Sequence, residues 1–109
     1  MKAKKIQDWQ LRTAYNVTAT TCHMLGNVRI DEVKSRSRNH RISTARHIIA
    51  WVLYCVWHFS STEIAALTER DHATVLHSIQ VVNAWRTIPK AYEREINITN
   101  HFKNVGRAL

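Results

Sequence analysis

The sequence predicts an all-α fold, a small helical bundle that forms a single domain over residues 1–109. Two glycines and one proline provide few turns, which favours long helices. Apolar residues recur at helical spacing, and no run of alternating β-branched residues predicts a strand. A chain of 109 residues can bury one modest core.

The first third of the chain predicts one long helix and a basic loop. The helix is expected over residues 6–25, either continuous or broken near Asn16, because the nearby threonines lower helix propensity. Gly26 is typical of a helix end. One helical turn is expected at residues 31–34, and a loop at residues 35–43. The candidate apolar contacts of the first helix are Trp9, Leu11, Tyr15, Cys22 and Leu25.

A long apolar segment predicts a buried central helix. Thr44 is expected to cap this helix, which would run to about His58. The apolar stretch over residues 48–59 is shorter than the roughly 20 residues that cross a bilayer, so no membrane segment is expected. Its core face would comprise Ile48, Ile49, Val52, Leu53 and Val56. Three residues lie off this face: Trp51, Tyr54 and His58. We expect the first or last helix to cover them, and the alternative is that they form the surface for a homodimer or a protein partner.

Two consecutive short segments predict a helix-turn-helix over residues 60–86. Ser60 and Glu63 have the spacing of a capping box, which begins a helix over residues 60–68. A turn of three residues follows, and Asp71 is a good N-cap for the second helix. Such a pair with a short turn is a helix-turn-helix, although other helical hairpins share the spacing. Pro89 would then open a last helix that continues towards Phe102.

The second helix of this pair predicts a surface that can read DNA. Val75, Leu76, Ile79 and Val82 repeat at helical spacing and are expected to form its buried face. Residues 72–74 would then occupy an open first turn that carries donors, acceptors and a methyl group. Base edges in the major groove offer complementary groups.

Positive charge is concentrated in the first half of the chain. The net charge is +8, and residues 1–46 hold ten Lys and Arg against three Asp and Glu. The remaining residues hold six against five. This asymmetry indicates a polyanionic partner, and the alternative is a solubilising surface.

The sequence gives no indication of a cofactor, a metal or a secretory route. Cys22 and Cys55 form no CxxC pair, so reduced core thiols are expected. The seven histidines show no HxxxH spacing, and no GxxxxGK[ST] motif provides a nucleotide site. Because the first residues do not form a signal peptide, we expect a cytoplasmic, nucleoid-associated protein.

Three sequence blocks resemble the C-terminal DNA-binding domain of the bacterial replication initiator DnaA. They are IDEVKSRSR at 30–38, ARHIIA at 45–50, and EIA at 63–65 followed by RDHATVLH at 70–77. The last block is similar to the family signature Arg-Asp-His-Thr/Ser-Thr-Val-aliphatic-His. The resemblance covers about residues 15–82.

This resemblance implies a Trp-repressor-like helix-turn-helix that binds a short asymmetric duplex site as a monomer. It implies a stand-alone, non-enzymatic reader of double-stranded DNA, in replication or transcription control or in competition for the initiator's sites. Three departures from the family pattern indicate a different preferred site. Ala73 replaces the usual Thr or Ser, Glu69 stands where glycine is common in the turn, and residues 39–41 are less basic than many family loops.

The resemblance also assigns expected DNA contacts by position. Arg38 matches an arginine that enters the minor groove, and residues 70–72 match groups that approach bases and phosphates in the major groove. Thr74 and His77 match positions near the DNA backbone. The alternative is that Arg38 and the histidines are ordinary surface residues. The complete expected set is Arg36, Arg38, Arg41, Arg46, Ser61, Thr62, Arg70, Asp71, His72, Ala73, Thr74 and His77.

Two other functions remain open from the sequence. A small metal-independent endoribonuclease would use an arginine–histidine pair on a helix, and both Arg41 with His47 and Arg70 with His77 have a suitable spacing. The arginine would stabilise developing phosphorane charge, and the histidine would act as acid or base. The third function is a protein-interaction adaptor, acting on host replication or transcription, whose basic surface docks an acidic partner.

Overall fold

The computed structural model describes residues 5–108, and their side chains up to residue 105. It contains six α-helices and one short 3-10 helix. No strand occurs in this range, so the all-α prediction is confirmed. The helices are α1 (Asp8–Leu25), α2 (Ile30–Val33), α3 (His40–Cys55), α4 (Ser61–Thr68), α5 (His72–Trp85) and α6 (Glu93–Ala108), with the 3-10 helix Pro89–Tyr92 before α6.

Helix α3 lies at the centre of the bundle and contacts each of the other five helices. Four residues of α3 have no exposed surface: Ala45, Ile48, Val52 and Leu53. Removing a valine, leucine or isoleucine side chain from water contributes about 1.5–3 kcal/mol, so the three larger residues make this helix the organiser of the core. The predicted buried central helix is therefore confirmed.

The bounds of α3 differ from the prediction. The helix begins at His40, because Asn39 caps it by accepting a hydrogen bond from the Arg41 backbone N–H at 3.0 Å. Thr44 is not the cap; its hydroxyl donates to the His40 carbonyl inside the helix at 2.9 Å. The helix ends at Cys55 rather than near His58, which has a left-handed φ of 59°.

Helix α1 is continuous, without a break near Asn16. The Thr18 hydroxyl donates to the Ala14 carbonyl at 2.8 Å, so this threonine is accommodated within the helix. Gly26 ends the helix as predicted, at a left-handed φ of 81°, with its N–H donating to the Cys22 carbonyl. The expected apolar contacts hold for Cys22 and Leu25, which are buried, and for Trp9, whose half-exposed ring packs edge to face on Phe59 at 5.4 Å between centroids. Leu11 and Tyr15 are more than half exposed and are not part of the core.

The last helix begins later than predicted, at Glu93, because Pro89 opens the preceding 3-10 helix instead. Trp51 is buried against α5: its indole N–H donates to the Asn83 side chain at 2.9 Å, and the Arg86 guanidinium lies 5.0 Å from the ring centroid. Asn83 of α5 and Arg86, the residue that follows α5, therefore contact Trp51, whereas Tyr54 and His58 are exposed. No helix in the described part of the chain combines the length and apolar character needed to span a membrane.

Candidate nucleic-acid interface

The start of α4 is fixed by a capping box that is tied to α1. The Ser60 hydroxyl accepts from the Glu63 N–H at 3.1 Å, and the Glu63 carboxylate accepts from the Ser60 N–H at 2.8 Å. The Gln10 amide of α1 donates to the other Glu63 oxygen at 2.7 Å. The predicted capping box is confirmed, and the buried bond to Gln10 sets where the first turn of α4 faces.

The turn between α4 and α5 places an acidic cap at the start of the second helix. Glu69 has left-handed backbone angles (φ 55°, ψ 41°), which explains why a glycine suits this position. Asp71 caps α5 as predicted, accepting from the Thr74 N–H at 2.7 Å. This backbone hydrogen bond lowers the pKa of Asp71 below its ordinary value, so the cap is ionised at neutral pH.

The first turn of α5 is open to solvent. His72, Ala73 and Thr74 are exposed, as the sequence predicted. The predicted buried face is correct except at Leu76, which is 40% exposed because it lies one turn after His72 on the outer face. Val75 points inwards, and its immediate neighbour Leu76 cannot share that direction. Leu76 is therefore a candidate DNA contact that the sequence pattern did not predict.

Helices α4 and α5 are joined at their first turns. The imidazole Nε2 of His72 lies 2.6 Å from the Ser61 hydroxyl oxygen, so these two predicted site residues contact each other. Thr62 is exposed beside Ser61. This contact restricts the His72 ring while leaving the residue exposed.

Arg46 holds the backbone of the loop between α2 and α3. Its Nε donates to the Val33 carbonyl at 2.8 Å, and its Nη1 to the Ser37 carbonyl at 2.5 Å. Its Nη2 donates to the Ser35 carbonyl and, at 3.4 Å, to that of Glu32. Burial, and then the charge of Arg70, lower the pKa of Arg46 below its ordinary value.

Arg70 reaches the same loop from the helix-turn-helix. Its Nη2 donates to the Val33 carbonyl at 2.9 Å and to the Ser35 carbonyl at 2.6 Å. Residue 70 lies in the turn before α5, so these bonds connect the loop directly to the start of that helix. The two guanidinium groups share the Ser35 carbonyl as an acceptor.

The other predicted loop arginines divide into two kinds. Arg41 is engaged with α2: its guanidinium donates to the Asn27 carbonyl and to the Glu32 carboxylate, with the closer carboxylate contact at 3.2 Å. The hydrogen bond from Arg41 is the main cause that lowers the pKa of Glu32. Arg36 and Arg38 are exposed and have no hydrogen-bond partner among residues 5–105.

The loop and the start of α5 face one cleft of about 480 Å³. Arg36 and Arg38 of the loop line it together with Arg70, Asp71 and Thr74 from the start of α5 and the turn before it. The remaining lining residues are Ser37, Arg46 and Glu69. A cationic loop and an open helix start therefore form one continuous surface.

Residues 15–82 match the family model described as the bacterial DnaA protein helix-turn-helix. The match covers more than half of the chain and contains the loop, α4 and the capped start of α5. The chain belongs to the bacterial DnaA helix-turn-helix family. No curated protein and no solved structure matches the chain.

Membership of the DnaA helix-turn-helix family confirms the resemblance found in the sequence. The DnaA C-terminal domain is a non-catalytic module that binds double-stranded DNA in replication initiation. The endoribonuclease alternative is not supported by membership of a family whose module is non-catalytic.

The DnaA-type domain also contains a half-buried histidine that is not among the predicted DNA contacts. His47 Nδ1 lies 2.8 Å from the Ser78 hydroxyl oxygen, and its ring contacts exposed His77 edge to face at 5.9 Å between centroids. Burial is the main cause that lowers the pKa of His47 to about 4, followed by the charges of His77, His40 and Arg46. His47 is therefore neutral at pH 7.

We predict that His47 makes the DnaA-type domain less stable in mild acid. Below about pH 6.5 the unfolded chain binds a proton at His47, whereas the folded protein does so only near pH 4. Stability from this group is complete above pH 6.5 and is lost as the pH falls towards 4. Allowing for partial exposure, the loss is about 1–2 kcal/mol. Urea unfolding at pH 7 and pH 4.5 measures it.

Two variants identify the source of this pH dependence. His47→Gln removes the titrating group, so the difference in unfolding free energy between the two pH values should shrink by the predicted amount. Ser78→Ala deletes the hydroxyl partner but keeps the buried imidazole, so it should retain the difference. An unchanged pH dependence in His47→Gln would assign the acid sensitivity to other groups.

Proposed function

We propose that this DnaA-type domain binds duplex DNA with sequence preference, with the first turn of α5 in the major groove and residues 36–38 in the adjacent minor groove. The shared cleft is the observation that carries the proposal, because it presents both elements to one partner. A helix fits the major groove, and a narrow minor groove attracts arginine. Replication control at DnaA-type sites is the role that family membership favours.

The outer face of α5 provides the groups for base recognition. His72 has a polar ring whose position is restricted by Ser61. Ala73 and Leu76 add exposed apolar groups, which are complementary to thymine methyls. Ala73 lacks the hydroxyl that is common in the family, so its side chain cannot make a hydrogen bond to a base. We propose that the base facing Ala73 in the preferred site is a thymine, whose methyl group the alanine can contact.

The arginines serve two different purposes in this proposal. Arg36 and Arg38 are exposed and available for the minor groove and its phosphates. Arg41 and Arg46 were both predicted to contact DNA, but their guanidinium groups bind protein. Arg46 acts by positioning the loop, and Arg41 connects the start of α3 to Asn27 and to Glu32 of α2. Arg70 also positions the loop from the turn before α5.

Phosphate contacts are proposed at the two helix starts. The backbone N–H groups of Ser61 and Thr62 lie at the exposed beginning of α4, where the helix dipole favours an anion. Thr74 and His77 lie on the exposed surface of α5, and we propose that they contact the DNA backbone beside the base-reading residues. Such contacts fix the orientation of the protein on the duplex.

Selection of bound duplexes from a random pool tests the proposed function. We expect an enriched motif with an A·T-rich flank beside it, where the loop would lie. The affinity for this motif should fall linearly with the logarithm of the salt concentration. Retention of duplexes without any enriched motif would contradict sequence preference and would indicate binding by charge alone.

We predict that removing the charge of Glu69 strengthens DNA binding. The Glu69 carboxylate lines the cleft and is paired only at its exposed edge with Lys34, at 3.5 Å. Such a pair contributes about 0–1 kcal/mol. Glu69→Gln should therefore raise DNA affinity about two- to fivefold at low salt, with less effect as salt increases. Fluorescence anisotropy with the selected duplex measures the change.

Glu69→Gly is the matched variant for this prediction. It removes the same charge and also relieves the left-handed backbone, which costs a non-glycine residue about 1 kcal/mol. Both variants should bind DNA more tightly, but only the glycine variant should also unfold at a higher urea concentration. If neither variant binds more tightly than the parent chain, the carboxylate does not face the DNA.

A further inference from the structure

A second cavity, of about 210 Å³, is lined by Arg46 and Arg70, the two arginines that hold the basic loop. It is bounded by α1, α2, α3, α4 and α5 and is separate from the DNA-facing cleft, although Arg46, Arg70 and Thr74 line both. An apolar cavity of about 150 Å³ is known to hold a benzene molecule. The cavity in this domain is therefore large enough for one substituted aromatic ring. Its apolar wall includes Ala14, Ile30, Ile49, Ala50, Leu67 and Val75.

The charged groups on this wall are all positive. Lys34, Arg46 and Arg70 line the cavity, and no Asp or Glu of the described residues does. His47 also lines it and is neutral at pH 7. Lys34 has the exposed ion pair with Glu69, but no described carboxylate lies within 4 Å of either guanidinium. A cavity with an apolar interior and uncompensated positive charge is complementary to an amphipathic anion.

Arg70 has donors available for such an anion. Both of its hydrogen bonds to the loop use Nη2, so the hydrogens on Nε and Nη1 have no acceptor among the described residues. Arg46 lies close enough to share the Ser35 carbonyl with Arg70, which places two like charges side by side. An anionic group at this point would accept from Arg70 and reduce the repulsion between the two arginines, without displacing the loop carbonyls.

We propose that this cavity is a binding site for a small aromatic carboxylate. The ring would occupy the apolar space between α1 and α3, and the carboxylate would accept hydrogen bonds from the free donors of Arg70 near Arg46. The proposal goes beyond DNA binding and does not depend on it. Since the same two arginines hold the loop, the site would connect a small molecule to the position of Arg36 and Arg38.

Phenylacetate is the probe that tests the site. Titration into the isotope-labelled chain of 109 residues without DNA should give saturable shifts of backbone amides that line the cavity on α1, α3 and α5. Phenylacetamide has the same shape without the charge, and acetate has the charge without the ring. Both should bind at least about tenfold more weakly, because each lacks one of the two complementary features.

Variants that fill the cavity complete the test. Ala50→Leu places extra methyl groups in the cavity from buried α3 and should weaken phenylacetate binding at least about tenfold. Thr18→Leu does the same from the half-buried rim, where folding is less at risk. Ala84→Leu, an exposed substitution on α5 away from the cavity, is the matched control and should bind normally.

Three results would overturn the proposal. The first is the absence of saturable binding by phenylacetate. The second is equal affinity for phenylacetate and acetate, which would indicate a simple anion site on the surface. The third is undiminished binding in a folded variant with a filled cavity. Because no DNA is present in the titration, none of these results bears on the proposed DNA-binding function.

Discussion

Replacing Arg46 with alanine is expected to lower the free energy of unfolding by about 2–4 kcal/mol and to weaken DNA binding about 100-fold. Arg46 donates to carbonyls at the end of α2 and in the following loop, from Glu32 to Ser37. A hydrogen bond to a charged group contributes about 1.5–3 kcal/mol, and hydration of the partly exposed carbonyls offsets part of the loss. Urea unfolding and anisotropy with the selected duplex measure the two effects.

The loss of DNA affinity follows from the freedom that the loop would gain. Fixing the backbone of one residue costs about 1–2 kcal/mol. If binding must order two loop residues that Arg46 held in place beforehand, the cost is about 2–4 kcal/mol, and a loss of 100-fold lies within that range. Arg36 and Arg38 would remain chemically intact but would no longer be positioned beside the start of α5.

Two control variants separate positioning from charge. Arg46→Lys keeps the charge, but one ammonium cannot reach the Val33, Ser35 and Ser37 carbonyls together, so it should recover less than half of either loss. Arg36→Ala removes an exposed charge that has no described hydrogen-bond partner. It should change stability by less than about 0.5 kcal/mol while reducing the salt dependence of DNA binding by about one phosphate contact. Full recovery by Arg46→Lys would contradict the positioning role.

The features that the sequence predicted correctly depend on neighbours along the chain. Asp71 and Thr74 form a cap within one helical turn, as do Ser60 and Glu63, so spacing alone predicts them. Gly26 ends α1 because glycine adopts its left-handed backbone without a Cβ penalty. These local rules also place the open first turn of α5, which is the core of the candidate site.

The features that the sequence did not predict depend on partners that are distant along the chain or on competing local choices. The carbonyls held by Arg46 and Arg70 belong to any backbone, so no residue pattern marks them as acceptors. Asn39 and Thr44 are both residues that cap helices well, so the local pattern does not decide between them. The helix α3 begins after Asn39, and Ile42 is then buried within it. In the same way, the exposure of Leu76 follows from how α5 packs as a whole.

We expect His72→Ala to weaken binding of the preferred duplex about 10- to 100-fold, while binding of random duplex changes little. A good side-chain contact to a base edge contributes about 1–3 kcal/mol of discrimination, and His72 lies on the exposed first turn of α5. The ratio of the two affinities, measured by anisotropy at one fixed salt concentration, should therefore fall. His23→Ala removes an exposed histidine from α1 and should leave this ratio unchanged.

The Ser61 hydroxyl, 2.6 Å from His72 Nε2, allows a sharper test of how the ring acts. If Ser61 is a positioning residue, Ser61→Ala should weaken specific binding less than His72→Ala does. The double variant should then be no weaker than His72→Ala alone, because the hydroxyl has no effect once the ring is absent. Additive losses would show that Ser61 and His72 contact DNA independently, and an unchanged affinity ratio in His72→Ala would remove the imidazole from base recognition altogether.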